Sequence, residues 1–330
     1  MIEVPAPAKI NLHLRITGIT ADDYHLLDTS FVYTDACDVL HIDTSESLEI
    51  SCSDPSLNGA DNLVFHVLDA LRRKYRIHQG LRVHVEKKLP MQAGLGGGSS
   101  DAATALIAAN HLWKLGLNSR QLIAFATPFG ADIPCFLFGQ ASLASGIGEQ
   151  LSPLDISTII APKRQHIVLA HPGVGLSTAA VFQRFDSEFT ANNNAKSSQL
   201  TPSGTKATIR ASLTGDSGGL LADEHKTAPE SAIPIEFSLG ENALESVSCA
   251  MCPQLARLLA CLRREQAKSW MSGSGTACIS LCENAESGTQ IADRLRAEDT
   301  AVWHHVGSLL PRHPLHNSGI EPHDWGVAKR

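Results

Sequence analysis

Apolar and polar residues alternate through Ala8-Lys9-Ile10-Asn11-Leu12-His13-Leu14 after a pair of prolines, which predicts a strand with Lys9 and Asn11 on one face and Ile10 and Leu12 on the other. Ser30–Tyr33, Asp38–Ile42, Leu48–Ile50 and Leu81–Val85 read as further strands, the first two as a pair. The period then changes. Leu63, Val64, Val67, Leu68 and Leu71 make one stripe, so a helix is expected from Asn62 to about Tyr75, capped by Asp61. Good helix formers fill Ala102–Asn110, and Asn118 opens an amphipathic helix over Ser119–Ala126. A strand is expected at His166–Ala170, and a helix over Pro253–Arg264 with Leu255, Leu258, Leu259 and Leu262 on one side. Trp270 to Ile279 reads as strand, glycine turn, strand. Residues 186–235 are polar and turn-rich and read as a long mobile insertion. From about Pro311 periodicity fades, and 311–330 reads as a tail without an assigned role.

Between the strand ending near Val85 and the helix starting near Ala102 lies Leu89-Pro90-Met91-Gln92-Ala93-Gly94-Leu95-Gly96-Gly97-Gly98-Ser99-Ser100-Asp101. Strand, glycine loop, helix is the context in which a loop can hold phosphate. Glycines let backbone N–H groups approach an anion, and the start of a helix leaves amides unpaired and adds partial positive charge. The plainer reading is a turn that caps a helix; four glycines and two serines at a helix start favour phosphate. The loop is not a Walker A motif, because no Lys follows its last Gly, and it does not match the dinucleotide fingerprint.

Composition narrows the partners. With 27 Lys and Arg against 34 Asp and Glu the net charge is −7, which argues against general affinity for nucleic acid. No apolar run has the length of a membrane span, and the N-terminus shows no secretory pattern, so a cytoplasmic protein is expected. The 8 cysteines lie mostly among apolar neighbours, as reduced core residues do. Cys249 and Cys252 with Cys278 and Cys282 can be drawn as a zinc site, but the latter two read as strand positions and no glycine knuckle surrounds the first pair. At 330 residues, one large domain or two ordinary ones fit.

Three separated segments resemble the motifs of the GHMP kinase superfamily, in the right order. They are Ala6-Pro7-Ala8-Lys9-Ile10-Asn11-Leu12, the loop from Pro90 to Ser100, and Met271-Ser272-Gly273-Ser274-Gly275-Thr276. Within it, Tyr24-His25 and the wording of the loop are most similar to the diphosphocytidyl kinases of isoprenoid precursor synthesis. The resemblance covers roughly residues 4–307 apart from the insertion. It implies an α+β fold of two domains with ATP and substrate in the cleft between them: an N-terminal domain over 1–160, a C-terminal domain over 161–310 carrying the insertion, then the tail.

It also implies roles. Lys87, Pro90, Met91, Gln92, Ala93, Gly94, Leu95, Gly96, Gly97, Gly98, Ser99 and Ser100 would hold ATP with Mg²⁺, and Asn62 would lie near the adenine. Asp132, in Gly130-Ala131-Asp132-Ile133-Pro134, would be the catalytic carboxylate, with Lys9 keeping it ionised. Taken alone, a carboxylate in so apolar a stretch is costly to bury unless paired or working, and it could equally be a helix cap. Asn11, Tyr24, His25, Thr178 and Phe182 would bind a small substrate with a cytidine diphosphate moiety, phosphorylated at its 2-hydroxyl. Phe182 could also be an ordinary core side chain. Two departures from the family stand out: Asp23 where a Gly precedes the Tyr-His pair, and Ser145 where an Arg is usual. A monomer or weak homodimer is expected. The alternatives are a superfamily kinase acting on homoserine, mevalonate or a sugar, which Tyr24-His25 argues against, and a silent nucleotide-binding homologue, which Lys9 and Asp132 argue against.

Overall fold

The structure, a computed structural model, describes residues 1–161, 165–197, 238–264, 267–298, 300 and 303–316. The main compact unit joins Met1–Phe185 to the chain from Ser238 onward. A second unit, Asp186–Phe237, lies outside the described residues except for the end of one helix.

Strands β1 (Ile2–Ile19) and β2 (His25–Ser45) form a long antiparallel pair, with Ile2 opposite Ile42 and Ile19 opposite His25. The two strands expected at 30–33 and 38–42 are therefore one. The residues between them include no Gly or Pro to break the chain, and Cys37 and Asp38 pair with Pro7 and Ala6. Register shifts between Pro7 and Lys9 and between Asn11 and His13 bracket the segment that carries the polar pair. Bulges of this kind re-aim side chains beside active sites.

Around β1 and β2 stand β3 (Glu49–Cys52), β4 (Gly80–Glu86), β5 (Ser142–Ser145) and β6 (Gln150–Pro153). Helices α1 (Leu63–Lys74), α2 (Gly97–Leu112), α3 (Ser119–Ala126) and α4 (Ile133–Phe138) complete this half. The second half contains β7 (His166–His171), α5 (Thr178–Ser197), α6 (Glu245–Met251), α7 (Pro253–Arg264), β8 (Ser269–Met271), β9 (Cys278–Cys282), α8 (Ala285–Ala297) and β10 (Trp303–Leu310). The hydrogen-bonded order is β3-β4-β2-β10-β7-β9-β8, with β1 and β5 on β2 and β6 on β5. All neighbours are antiparallel except β3 and β4.

Two apolar cores stand out among the described residues. The first packs α1 to α4 against β1 to β4, with Val67, Leu68, Leu71, Leu81, Val83 and Leu106 fully buried. The second packs α6, α7 and α8 against β7 to β9, through Val168, Leu255, Leu258, Leu262, Met271 and Cys278. Helix α2 is buried almost all round, and alanine suits a helix surrounded at close quarters. Cys278 is wholly inside this second core, and every described cysteine is a free thiol.

Three further readings change. Asn62, not Asp61, caps α1: its side chain accepts from the Val64 amide at 2.9 Å. The helix begun at Thr178 continues to Ser197, through Asn192, Asn193 and Asn194. Extending an existing helix needs no new nucleus, so poor formers can be carried along; the remainder of 186–235 lies outside the described residues. The expected tail is anchored at its start. His313 is wholly buried, its amide donates to the Gly139 carbonyl at 2.9 Å, and its ring meets Tyr33 edge-on at 5.6 Å. Residues 317–330 lie outside the described residues. No described helix is long and apolar enough to cross a membrane.

Candidate active site

Lys9 and Asn11 sit on the same face of β1, both buried on a strand whose residues 6–14 are covered on both sides. An ammonium there needs partners. Its Nζ donates to Asn11 Oδ1 at 2.9 Å and lies 3.8 Å from Asp132 Oδ2. Asn11 is held in turn: its Nδ2 donates to Thr29 Oγ1 at 2.8 Å, whose hydroxyl donates to the His13 carbonyl at 2.5 Å. The Lys9 ammonium also stands 5.1 Å from the centre of the Phe31 ring. Asp132 precedes α4 but caps nothing with its side chain, which is 43% exposed. The helix-cap reading of Asp132 therefore fails, and its carboxylate stays available to solvent and to Lys9.

The glycine loop crosses directly over this pair. The Lys9 amide donates to the Leu95 carbonyl at 3.0 Å. A Cβ at Gly96 would come within 3.1 Å of Lys9 Cγ, and Gly96 has φ +69°. Both facts call for glycine there. At Gly94, with φ +75°, a Cβ would stand 2.2 Å from the Ser272 carbonyl oxygen. That carbonyl belongs to the third motif, which packs against the loop through Ser272 Oγ to Gly94 O at 3.1 Å and Ala277 N to Ala93 O at 2.9 Å. Ser272 Oγ also accepts from the Asn11 amide at 3.3 Å, and Trp270 Nε1 donates to the Asn11 carbonyl at 2.8 Å. Asn242 braces the far side of the turn, its Nδ2 donating to the Met271 and Gly273 carbonyls at 2.8 Å each. All three motifs thus meet at Lys9–Asn11.

Helix α2 begins at Gly97. The first intrahelical bond of this turn runs from the Ser100 amide to the Gly96 carbonyl at 2.8 Å, which leaves the amides of Gly97, Gly98 and Ser99 without helical acceptors. A Cβ at Gly98 meets nothing within 4 Å, so the space beside that residue is open. Among the residues read as holding ATP, roles divide. Ala93 and Leu95 are buried anchors of the loop, Pro90 is half-buried, and Met91 and Gln92 are exposed. Ser100 is wholly buried and its hydroxyl donates to the Pro7 carbonyl at 2.7 Å, so it ties the helix to β1 instead of facing the opening. Asn62 spends its side chain on capping and on the Leu57 carbonyl. Lys87 is ion-paired to Asp38 and, at 2.8 Å, to Asp101.

Among the residues read as binding substrate, His25 and Phe182 are in contact, with ring centres 4.5 Å apart, and Phe185 lies 6.4 Å from His25. Tyr24 is largely exposed at the turn before β2. Asp23 takes φ +63°, the conformation a glycine adopts most easily and Asp tolerates, so the departure preserves the turn. Thr178 heads α5 and shares a hydrogen bond of 2.9 Å with Ser274 of the third motif. Ser145 is exposed on the hairpin of β5 and β6, its hydroxyl 3.3 Å from Gln150 Oε1.

Sequence reasoning gave no role to Asp38 or Thr29, and named Asp101 and Ser272 only as members of the loop and of the third motif. Asp38 was findable by the argument used for Asp132: a lone carboxylate opening an apolar strand needs partners. It accepts from the Lys88 and Leu89 amides at 2.6 and 2.8 Å, which fixes the entry to the loop.

The family model described as GHMP kinases N terminal domain matches residues 62–140, and the one described as GHMP kinases C terminal matches 226–300. The chain is 34% identical over 318 residues to the 4-diphosphocytidyl-2-C-methyl-D-erythritol kinase of Acidovorax sp. (strain JS42), covering 96% of this chain and 97% of that protein. It is 36% identical over 318 residues to the enzyme of the same name from Delftia acidovorans (strain DSM 14801 / SPH-1), covering 95% of each. A crystal structure of 4-(cytidine 5'-diphospho)-2C-methyl-D-erythritol kinase superposes with a TM-score of 0.68 at 28% identity, covering 93% of this chain and 99% of that one. The chain belongs to the GHMP kinases and, within them, to the 4-diphosphocytidyl-2-C-methyl-D-erythritol kinases.

Proposed function

We propose that this protein transfers the γ-phosphoryl group of ATP to the 2-hydroxyl of 4-diphosphocytidyl-2-C-methyl-D-erythritol, at Asp132 and Lys9. The observation that carries the reading is the Lys9–Asp132 pair, 3.8 Å apart and set against the loop that opens α2. Phosphoryl transfer asks for positioning and charge neutralisation more than for covalent chemistry. The phosphates rest on the free amides of Gly97, Gly98 and Ser99. Nucleotide-bound Mg²⁺ would supply part of the charge neutralisation at those phosphates. Asp132 accepts the proton of the attacking hydroxyl, and the buried Lys9 ammonium, held by Asn11, stabilises the oxygen as charge develops on it. Tyr24, His25 and Phe182 select the cytosine by stacking and edge contacts.

The test is turnover with ATP, Mg²⁺ and the diphosphocytidyl substrate, beside homoserine, mevalonate and a sugar panel. Turnover of the diphosphocytidyl substrate alone is expected. CDP should compete at the substrate site better than UDP or ADP. Turnover of another alcohol in its place, or equal inhibition by the three nucleotides, would overturn the assignment of substrate.

A further inference from the structure

The first turn of α2 rests on a buried cluster of three charged side chains that the mechanism does not use. Lys87 Nζ lies between Asp38 on β2 and Asp101 on α2, in contact with one and 2.8 Å from an oxygen of the other. Asp38 is wholly buried and Asp101 nearly so. Asp38 is well satisfied by two backbone amides and the ammonium, whereas Asp101 Oδ1 is buried with no hydrogen-bond partner. A Cβ placed on Gly97 would be 3.4 Å from both Lys87 Nζ and Asp38 Oδ2, so the cluster lies just behind the amides that face the opening.

The charges do not balance. Two carboxylates share one ammonium out of water, a net negative charge behind a site read as holding a polyanion. Such a charge is costly to bury and repels the ligand in front of it. A proton on Asp101 removes both costs, because the cluster becomes neutral. Cys52 on β3 interacts electrostatically with Asp101 and Lys87, and burial pushes its thiol up, so it adds no charge. Burial first, and then Asp38, raise the Asp101 carboxyl to about 7, against the opposing pull of Lys87. Lys87 itself is raised: burial disfavours its charge, but the two carboxylates outweigh that.

Building on the proposed kinase reading, we infer that Asp101 is a positioning residue that takes up one proton from solvent when nucleotide phosphates dock on the start of α2. The phosphates favour the neutral carboxyl, so by linkage proton uptake and nucleotide affinity rise together. Below the carboxyl's own titration the proton is already present and affinity does not depend on it. Above it, affinity falls as pH rises, by at most about tenfold per unit. Asp101→Asn copies the protonated form permanently.

Calorimetry of ATP–Mg²⁺ binding to the full chain, in two buffers of different ionisation enthalpy at about pH 8, counts the protons. The wild type should take up a substantial fraction of one proton per nucleotide, and Asp101→Asn should lose that uptake. The variant should bind ATP no better than wild type at about pH 6 and several-fold more tightly at about pH 8.5, a crossover that a purely structural role would not produce. Carbon-13 NMR of the Asp101 carboxyl in the wild type without nucleotide checks the same point if the variant does not fold; a carboxyl already ionised at about pH 5 would overturn the inference. ATP binding without proton uptake, or uptake unchanged in Asp101→Asn, would overturn it and leave the kinase reading standing. No ATP binding at any pH would overturn both.

Discussion

At the scale of single residues, neighbouring glycines have opposite surroundings. A Cβ at Gly97 would already touch Asp38, Lys87 and Leu89, at 3.4 to 3.6 Å, so a larger side chain would press on them, whereas a Cβ at Gly98 would meet nothing within 4 Å. Gly98→Val is therefore expected to weaken ATP binding at least tenfold with little change in melting temperature. Gly97→Val should mainly lower stability, by about 1–3 kcal/mol as overpacking typically does, and the melting temperature with it. Calorimetry and thermal unfolding of both variants separate the two effects; unchanged ATP affinity in Gly98→Val would remove the phosphate role of the loop.

The catalytic pair belongs to the same scale. Asp132→Asn keeps shape and removes the carboxylate, and Lys9→Met keeps the stem and removes the charge. Each should lower kcat by roughly a hundredfold or more, the range of one acid–base group. Because both act on one hydroxyl, the double variant should be little worse than the poorer single. ATP affinity should barely move in Asp132→Asn. Steady-state kinetics of the four proteins decide, and near-normal kcat in Asp132→Asn would refute its role.

At the scale of elements, α1 and the third motif owe their placement to side chains bonding backbone. Asn62→Ala removes the α1 cap and should cost about 1 kcal/mol, while Asn62→Asp should keep most of it. If Asn62 also serves the adenine, Asn62→Asp should raise KM for ATP at unchanged stability; unchanged KM would leave it a cap only. Asn242 ties β8 and the glycine turn after it with two bonds given to carbonyls, and its Oδ1 accepts a third from the Leu244 amide of its own segment at 2.9 Å. Asn242→Ala should cost roughly 2–3 kcal/mol, on a scale of about 1 per bond with buried carbonyls left bare. It should also raise KM for both substrates, since the turn it holds supports Gly94 and Thr178. Urea unfolding and kinetics measure this; a stability loss under 0.5 kcal/mol, on the order of a neutral surface change, would show the brace unnecessary.

At the scale of the whole molecule, acid should loosen the fold through buried histidines. His171, 5% exposed at the end of β7, accepts at Nδ1 from the Gly173 amide at 3.2 Å, and burial pulls its imidazole down from 6.5 to about 4. His13 is also pulled down by burial, against the opposing effect of Asp28. A base kept neutral in the fold costs nothing above its unfolded value. As pH drops from about 6.5 toward 4, the unfolded chain takes up the proton and the folded chain does not, so stability is lost across that window. For His171 the loss is roughly 2 kcal/mol after allowance for screening. His171→Gln should flatten this part of the stability profile, read from urea midpoints at several pH values; an identical acid limb in the variant would count against it.

Much of this molecule was legible along the chain because it rests on local physics. The helix at Pro253–Arg264 and the one opened by Asn118 follow from apolar spacing and a cap within one turn. The alternation through Lys9 and Asn11 placed both on one side of a strand; the order of the three motifs named the superfamily, and Tyr24-His25 with the wording of the loop named the enzyme class. Tertiary structure alone decided the rest, since contacts between distant residues leave no periodic trace. Whether 30–33 and 38–42 were two strands or one depended on β1 alongside. Asp132 could have been a cap until Lys9, more than a hundred residues earlier, was seen facing it. Ser100 looked like a phosphate ligand from its place in the loop, but the Pro7 carbonyl claims its hydroxyl. The sequence by itself determined which segments could hold phosphate and carry charge; only the folded chain decided which of those groups face the opening and which are buried behind it holding the loop in place.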